Sequence, residues 1–129
     1  MSVAVRIFDE APGIRREIVR ELRLVSERTT LRELIRRRIE AEAAEIAAGR
    51  DDGRVLVTPS EREARLNGKP RHMRSVDAQQ QLVAAIDAFQ HNRIIIIVGE
   101  RQVTDLDLPI AVAPETEVTC FRQMPLLGG

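Results

Sequence analysis

Five consecutive β-branched residues, Ile94-Ile95-Ile96-Ile97-Val98, restrict the folds open to this chain more than any other feature. β-Branched side chains pack well on a pleated surface, and a run without polar alternation offers neither of its faces to water. Such a stretch is a strand inside a sheet, or one covered at an interface. The remaining strands and a covering layer must come from elsewhere in the chain. At 129 residues there is enough chain for one domain with a real core, without help from disulfides or metals.

The partners are readable on both sides of the run. Val3, Val5 and Ile7 alternate with Ala4, Arg6 and Phe8, the period-2 pattern of a half-buried strand over about residues 2–8. Asp9-Glu10-Ala11-Pro12-Gly13 supplies turn chemistry. A second strand follows, with Ile18, Leu22 and Leu24 in phase, and the short connection makes an antiparallel hairpin. Arg20 falls on the apolar face of that strand, which a bulge or the strand's open end would accommodate.

Thr29 or Thr30 then reads as a helix N-cap, and Thr30-Leu31-Arg32-Glu33 has capping-box spacing. Leu31, Leu34, Ile35, Ile39, Ala43 and Ile46 form one apolar stripe. Arg36, Arg37, Arg38 and Glu40 are assigned to the solvated face, where Glu33 lies four residues before Arg37 and Glu40 four after Arg36. Gly49 ends the helix. Arg54–Thr58 reads as a short strand and Ser75 as the cap of a second helix reaching about Phe89, with the stripe Ala78, Leu82, Ala85, Ile86 and Phe89. After the isoleucine run come a Gly99-Glu100 turn, a brief strand Arg101-Gln102-Val103, a loop from Asp105 to Ile110, and a last strand through Val118, Cys120 and Phe121.

Composition narrows the chemistry. Twenty basic and twenty acidic residues balance to zero net charge, which removes any general pull toward nucleic acid or membrane phosphates. No apolar run approaches the ~18 residues of a membrane helix, and the first residues lack signal-peptide order, so a cytoplasmic protein is expected. Cys120 is the single cysteine, which excludes an internal disulfide and a multi-cysteine zinc site; mid-strand, it reads as a small core hydrophobe. His72 and His91 have no partner at metal-ligand spacing, and no metal site is expected. There are nineteen arginines and one lysine, Lys69. Genome composition accounts for such a bias. An alternative is that a protein handled as an activated acyl group benefits from carrying few amines, since lysine can lose its proton and attack whereas arginine cannot.

The sequence closes on Pro125-Leu126-Leu127-Gly128-Gly129. A terminal Gly-Gly arises by chance about once in 200 chains, and it offers no catalytic side chain, only a carboxylate on a narrow stem. Strand, turn, strand, capped helix, strand, short strand and final strand is the element order of an α+β, β-grasp fold, with one main helix across a mixed sheet. That order, with a last strand running into Gly128-Gly129, resembles the ubiquitin-like superfamily, including its prokaryotic sulfur carriers. The stretch Gln102-Val103 through Pro109-Ile110, followed by Glu117-Val118-Thr119-Cys120-Phe121, is similar to the closing segment of those carriers. The resemblance covers residues 2–48 and 93–129 of a single domain, 1–129, with an insertion at about 49–92. Three departures favour a divergent bacterial modifier over a sulfur carrier. Glu115-Thr116 stands where the carriers have Gly-Asp, the tail from Phe121 is longer, and the insertion carries a second helix.

The resemblance implies a protein that is a substrate rather than an enzyme and holds no cofactor of its own. An activating enzyme using ATP and magnesium would adenylate the Gly129 carboxylate, with Gly128 and Gly129 threading its channel. Pro125 would stiffen the stem, and Leu126 and Leu127 would dock in apolar grooves of that enzyme. A target protein's amine would receive the acyl group, with a conjugating enzyme and a deconjugating metalloprotease as possible further partners. Lys69 would be the one lysine acceptor for chains. The alternatives are a carrier forming a C-terminal thiocarboxylate, and a non-covalent adaptor using its sheet.

Overall fold

The computed structural model describes residues 2–49, 56 and 77–123. Within them the chain is α+β: β1 (Val3–Ala11), β2 (Ile14–Leu24), β3 (Arg28–Thr29), α1 (Leu31–Ala47), α2 (Ala78–Gln90), β4 (Ile94–Val98), β5 (Arg101–Val103), β6 (Ile110–Ala111) and β7 (Glu117–Arg122). Five strands make one mixed sheet in the order β2-β1-β7-β4-β5, and β3 pairs with β6 in a separate two-stranded ladder. The first and last strands lie side by side and parallel, with Ile7 opposite Val118 and Asp9 opposite Cys120. All other pairs in the sheet are antiparallel.

One face of this sheet meets both helices. Val3, Val5 and Ile7 of β1, Leu22 and Leu24 of β2, Ile94 and Ile96 of β4, and Val118 and Cys120 of β7 are buried against Leu31, Leu34, Ile35 and Ile39 of α1 and Ala85 and Phe89 of α2. The isoleucine run is interior to the sheet, as expected, between β7 and β5. Only one of its faces is fully closed, however: Ile94 and Ile96 are buried while Ile95 and Ile97 are half-buried.

The helix ends follow local chemistry. The Glu33 amide donates to Thr30 Oγ1 at 3.2 Å, so Thr30 is the cap of α1. Both expected surface pairs form, Arg37 to Glu33 at 2.9 Å and Arg36 to Glu40 at 3.1 Å. Gly49 follows the helix at φ 78°, the left-handed conformation that glycine adopts without a Cβ penalty. The second helix is capped by Asp77, whose side chain accepts from the Gln79 and Gln80 amides, and not by Ser75, which lies outside the described residues. It ends with Asn92 at φ 60° and with Arg93 N–H donating to Ala88 O and Asn92 N–H to Phe89 O, the paired bonds of a Schellman motif.

Four further expectations are corrected. β1 does not stop at Phe8: Asp9 and Ala11 continue its buried face, and only Pro12-Gly13 turn the chain, Gly13 at φ 75°. Ile18 is not in phase with Leu22 and Leu24. A register shift opposes Ile7 to Arg20 and Phe8 to Ile18, and this bulge at Val19 turns Ile18 outward at 47% exposure. Arg20 keeps the apolar face expected for it, in phase with Leu22 and Leu24, and is accommodated there by a pair with Glu45 at 2.6 Å. Arg38 is not on the solvated face of α1; it is one of the largest fully buried side chains in the molecule. Ile110 is not loop but part of the β3–β6 ladder, opposite Thr29. Of the Arg54–Thr58 stretch only Leu56 is described; it is buried in the core.

Candidate functional site

The predicted site residues Pro125, Leu126, Leu127, Gly128 and Gly129, and the acceptor Lys69, lie outside the described residues. What is on view is the base of that tail. β7 reaches it from the middle of the sheet, held by β1 on one side and β4 on the other, with Arg122 opposite Ile94. The last described residue, Gln123, donates its amide to Arg93 O at 2.8 Å. The stem thus leaves from one end of a strand paired on both edges, the least deformable position a sheet offers.

Beside that exit is a cleft of about 570 Å³, lined by Phe89, Asn92, Ile94, Gln102 and the pair Arg32–Asp107. Its outer wall is tied to α1: Arg32 N–H donates to Leu106 O at 3.0 Å, and the Arg32 guanidinium bonds both Asp107 oxygens at 2.8 and 3.1 Å. Those bonds raise the Arg32 pKa and lower that of Asp107. Both side chains are exposed, so the pair orients the wall more than it stabilises the fold.

Directly under β7 lies a charged cluster in the core. The Arg38 guanidinium grips Asp9 through both its terminal nitrogens, Nη2 to Oδ2 at 2.8 Å, and its Nε donates to Glu42 Oε2 at 2.7 Å. Glu42 Oε2 also accepts the Leu56 amide at 2.9 Å, so one carboxylate joins α1 to the segment after it. Burial works against the Arg38 charge, but the bonds to Asp9 and the fields of Asp9 and Glu42 outweigh it and raise the arginine's pKa. Glu42 goes the other way: burial lifts its carboxyl above the usual range despite Arg38. The Cys120 thiol, also enclosed here, is pushed up chiefly by burial, with Arg38 opposing. A buried thiol held in its protonated form is inert, in keeping with the expected core role.

The sheet's other face is open. Phe8 is opposite Ile18 on one side and Thr119 on the other, Thr119 is opposite Ile97, and Phe121 is opposite Ile95. Arg16 lies across this row with its guanidinium 3.8 Å from the Phe8 ring centroid, donating to Thr119 Oγ1 at 3.1 Å and to Glu117 at 2.7 Å. Arginine over an aromatic face gains a cation–π contact and covers apolar area with its own stem. That explains why Thr119, on the open face, is only 5% exposed.

Among the described residues no three His, Cys, Asp or Glu side chains gather into a group that could hold a metal ion. His91 sits at the end of α2 with Nδ1 2.8 Å from Asp87 O, a helix-end role; His72 lies outside the described residues. No described helix is long and apolar enough to cross a membrane.

The buried cluster is the feature that periodicity missed. Two signals for it were present. Asp9 continues the inward phase Val3, Val5, Ile7, and Arg38 and Glu42 stand four residues apart within the stripe Leu34, Ile35, Ile39, Ile46. No protein-family model matches the chain, no curated protein is significantly similar to it, and no solved structure matches it.

Proposed function

We propose that the protein is a ubiquitin-like modifier with a β-grasp fold, whose Gly129 carboxylate is the reacting group. The observation that carries this reading is the placement of β7. A helix-covered mixed sheet sets the last strand parallel to the first at its centre, and the sequence beyond that strand runs through Leu126-Leu127 to Gly128-Gly129. A rigid base followed by two residues without Cβ atoms suits a carboxylate that must pass through a narrow channel.

In the proposed reaction a carboxylate oxygen of Gly129 attacks the α-phosphorus of ATP on an activating enzyme, and magnesium pyrophosphate leaves. A cysteine thiolate of that enzyme attacks the acyl carbon and AMP departs, leaving a thioester. A target amine then attacks the thioester, the thiol leaves, and an amide remains. The chain contributes recognition and positioning and performs no catalysis. The test is covalent capture in the cell of origin. Tagged protein should form higher-mass species that survive denaturant and thiol reductant, and these should disappear when Gly129 is deleted. Their absence, or their persistence in the deletion, would sink the proposal.

One observation favours a second reading, the non-covalent adaptor. Two of the three phenylalanines in the chain, Phe8 and Phe121, stand on the open face of the sheet beside Ile18, Ile95 and Ile97. In that case partner binding would survive deletion of Gly129 and fail on Phe8→Ser.

A further inference from the structure

We propose that two copies of this chain associate by pairing their β2 edges antiparallel, with Leu22 on the two-fold axis and residues 20–24 facing the same residues of the partner. β2 is the longest strand of the sheet and stands at its edge. Among the described residues nothing pairs with its outer side. Three of the five exposed large apolar residues lie on this strand or at its end: Ile14, Ile18 and Val25, the last 71% exposed. An exposed edge of this kind is a template for another strand unless something blocks it.

Charges and bulges are the usual blocks, and β2 has both. The sign pattern of its charges, however, selects one partner. In an antiparallel pair about Leu22, residues whose numbers sum to 44 stand opposite one another. Glu21 then faces Arg23 of the second copy and Arg23 faces its Glu21. The register also keeps faces matched. Leu22 and Leu24 point to the helix side, opposite Val5 and Val3, while Glu21 and Arg23 point to the open side, opposite Arg6 and Ala4.

Both charges are free to meet a second copy. Glu21 and Arg23 are exposed and have no ion-pair partner among the described residues. Opposite charges directly across an antiparallel pair stabilise it and like charges disfavour it, so the same pattern that attracts a second copy in this register repels shifted ones. The product is one continuous ten-stranded sheet with its helices on one side. This inference does not depend on the role of Gly129.

The test is sedimentation equilibrium of the full chain between about 1 µM and about 1 mM, the range in which an edge contact of this size should register. A reversible monomer–dimer equilibrium that weakens with added salt is expected. Glu21→Arg sets Arg against Arg at two symmetry-related places, and Arg23→Glu sets Glu against Glu. Each should raise the dimer Kd by about thirtyfold, and the double swap Glu21→Arg/Arg23→Glu should restore it. Both positions are exposed, and circular dichroism of each variant confirms that it is folded before it is scored. A monomer throughout the concentration range would overturn the proposal. So would a dimer that the single reversals leave intact or that the double swap fails to recover.

Discussion

Arg38 is 2% exposed, and the protein meets the cost of burying its charge with two carboxylates, Asp9 and Glu42. Taking one member out of such a cluster leaves uncompensated charge in a medium of low polarity, and this costs far more than the pair contributed. Arg38→Ala should therefore lower the unfolding free energy by about 3–5 kcal/mol in a urea titration, against about 0.5 kcal/mol or less for Arg36→Ala on the exposed side of the same helix. Glu42 adds a pH dependence. Its folded-state pKa is raised by burial, so the stability associated with this group is complete below the unfolded value of about 4.3 and is lost as pH rises through the folded value. Glu42→Gln cannot ionise. The difference in unfolding free energy, variant minus parent, should therefore increase as pH rises from about 4 and then level off above the folded pKa. A difference that falls or stays constant across that range would show that Glu42 is not held in this way. Neither residue's role was legible from charge spacing. A Glu33–Arg37 pair and an Arg38–Glu42 pair have the same i, i+4 geometry, and only the position of each around the helix, relative to Leu34 and Ile39, tells which one is turned inward.

The elements differ in how much of them local chemistry determines. α1 begins where Thr30 and Glu33 say it should because the cap satisfies an otherwise orphaned amide within one turn of chain. α2 is capped two residues later than expected because Asp77, which already sits in extended backbone, accepts both the Gln79 and Gln80 amides. Each cap should contribute about 1 kcal/mol: Thr30→Ala and Asp77→Ala should lower the urea midpoint with little change in slope, and Ser75→Ala should leave it where it is. The hairpin shows what alternation cannot foresee. β1 keeps its period through Asp9 and Ala11, so the turn shrinks to Pro12-Gly13, and a one-residue bulge at Val19 moves Ile18 to the open face while Arg20 stays on the helix side with Leu22 and Leu24. A bulge is set by pairing with the neighbouring strand and has no signature in the strand's own sequence. The two-residue strands β3 and β6 were missed for a related reason: Arg28–Thr29 and Ile110–Ala111 become strands only because the fold brings them together.

At the scale of the molecule, the isoleucine run did constrain the fold in the way its composition suggests, with Ile94–Val98 between two neighbours and its inner face closed by two helices. The parallel contact between β1 and β7 joins the two ends of the described chain at the centre of the sheet. No window of sequence contains that contact; β7 pairs between the β1–β2 hairpin and the β4–β5 hairpin, with α1 packed across the sheet they form. Its consequence for the proposed function is mechanical. Gln123, bonded to Arg93 O, directly follows a strand braced on both edges, so loss of Gly129 should leave folding untouched and abolish only the proposed chemistry of the carboxylate. The direct test is intact-mass analysis after incubation of the purified chain with the proposed activating enzyme, ATP and magnesium. A thiol-labile, protein-sized adduct that forms with the full chain and not after deletion of Gly129 is the predicted result. No adduct with the full chain, or an unchanged adduct after the deletion, would contradict the assignment of Gly129 as the reacting group. A sulfur-for-oxygen mass exchange alone would replace the modifier with a carrier.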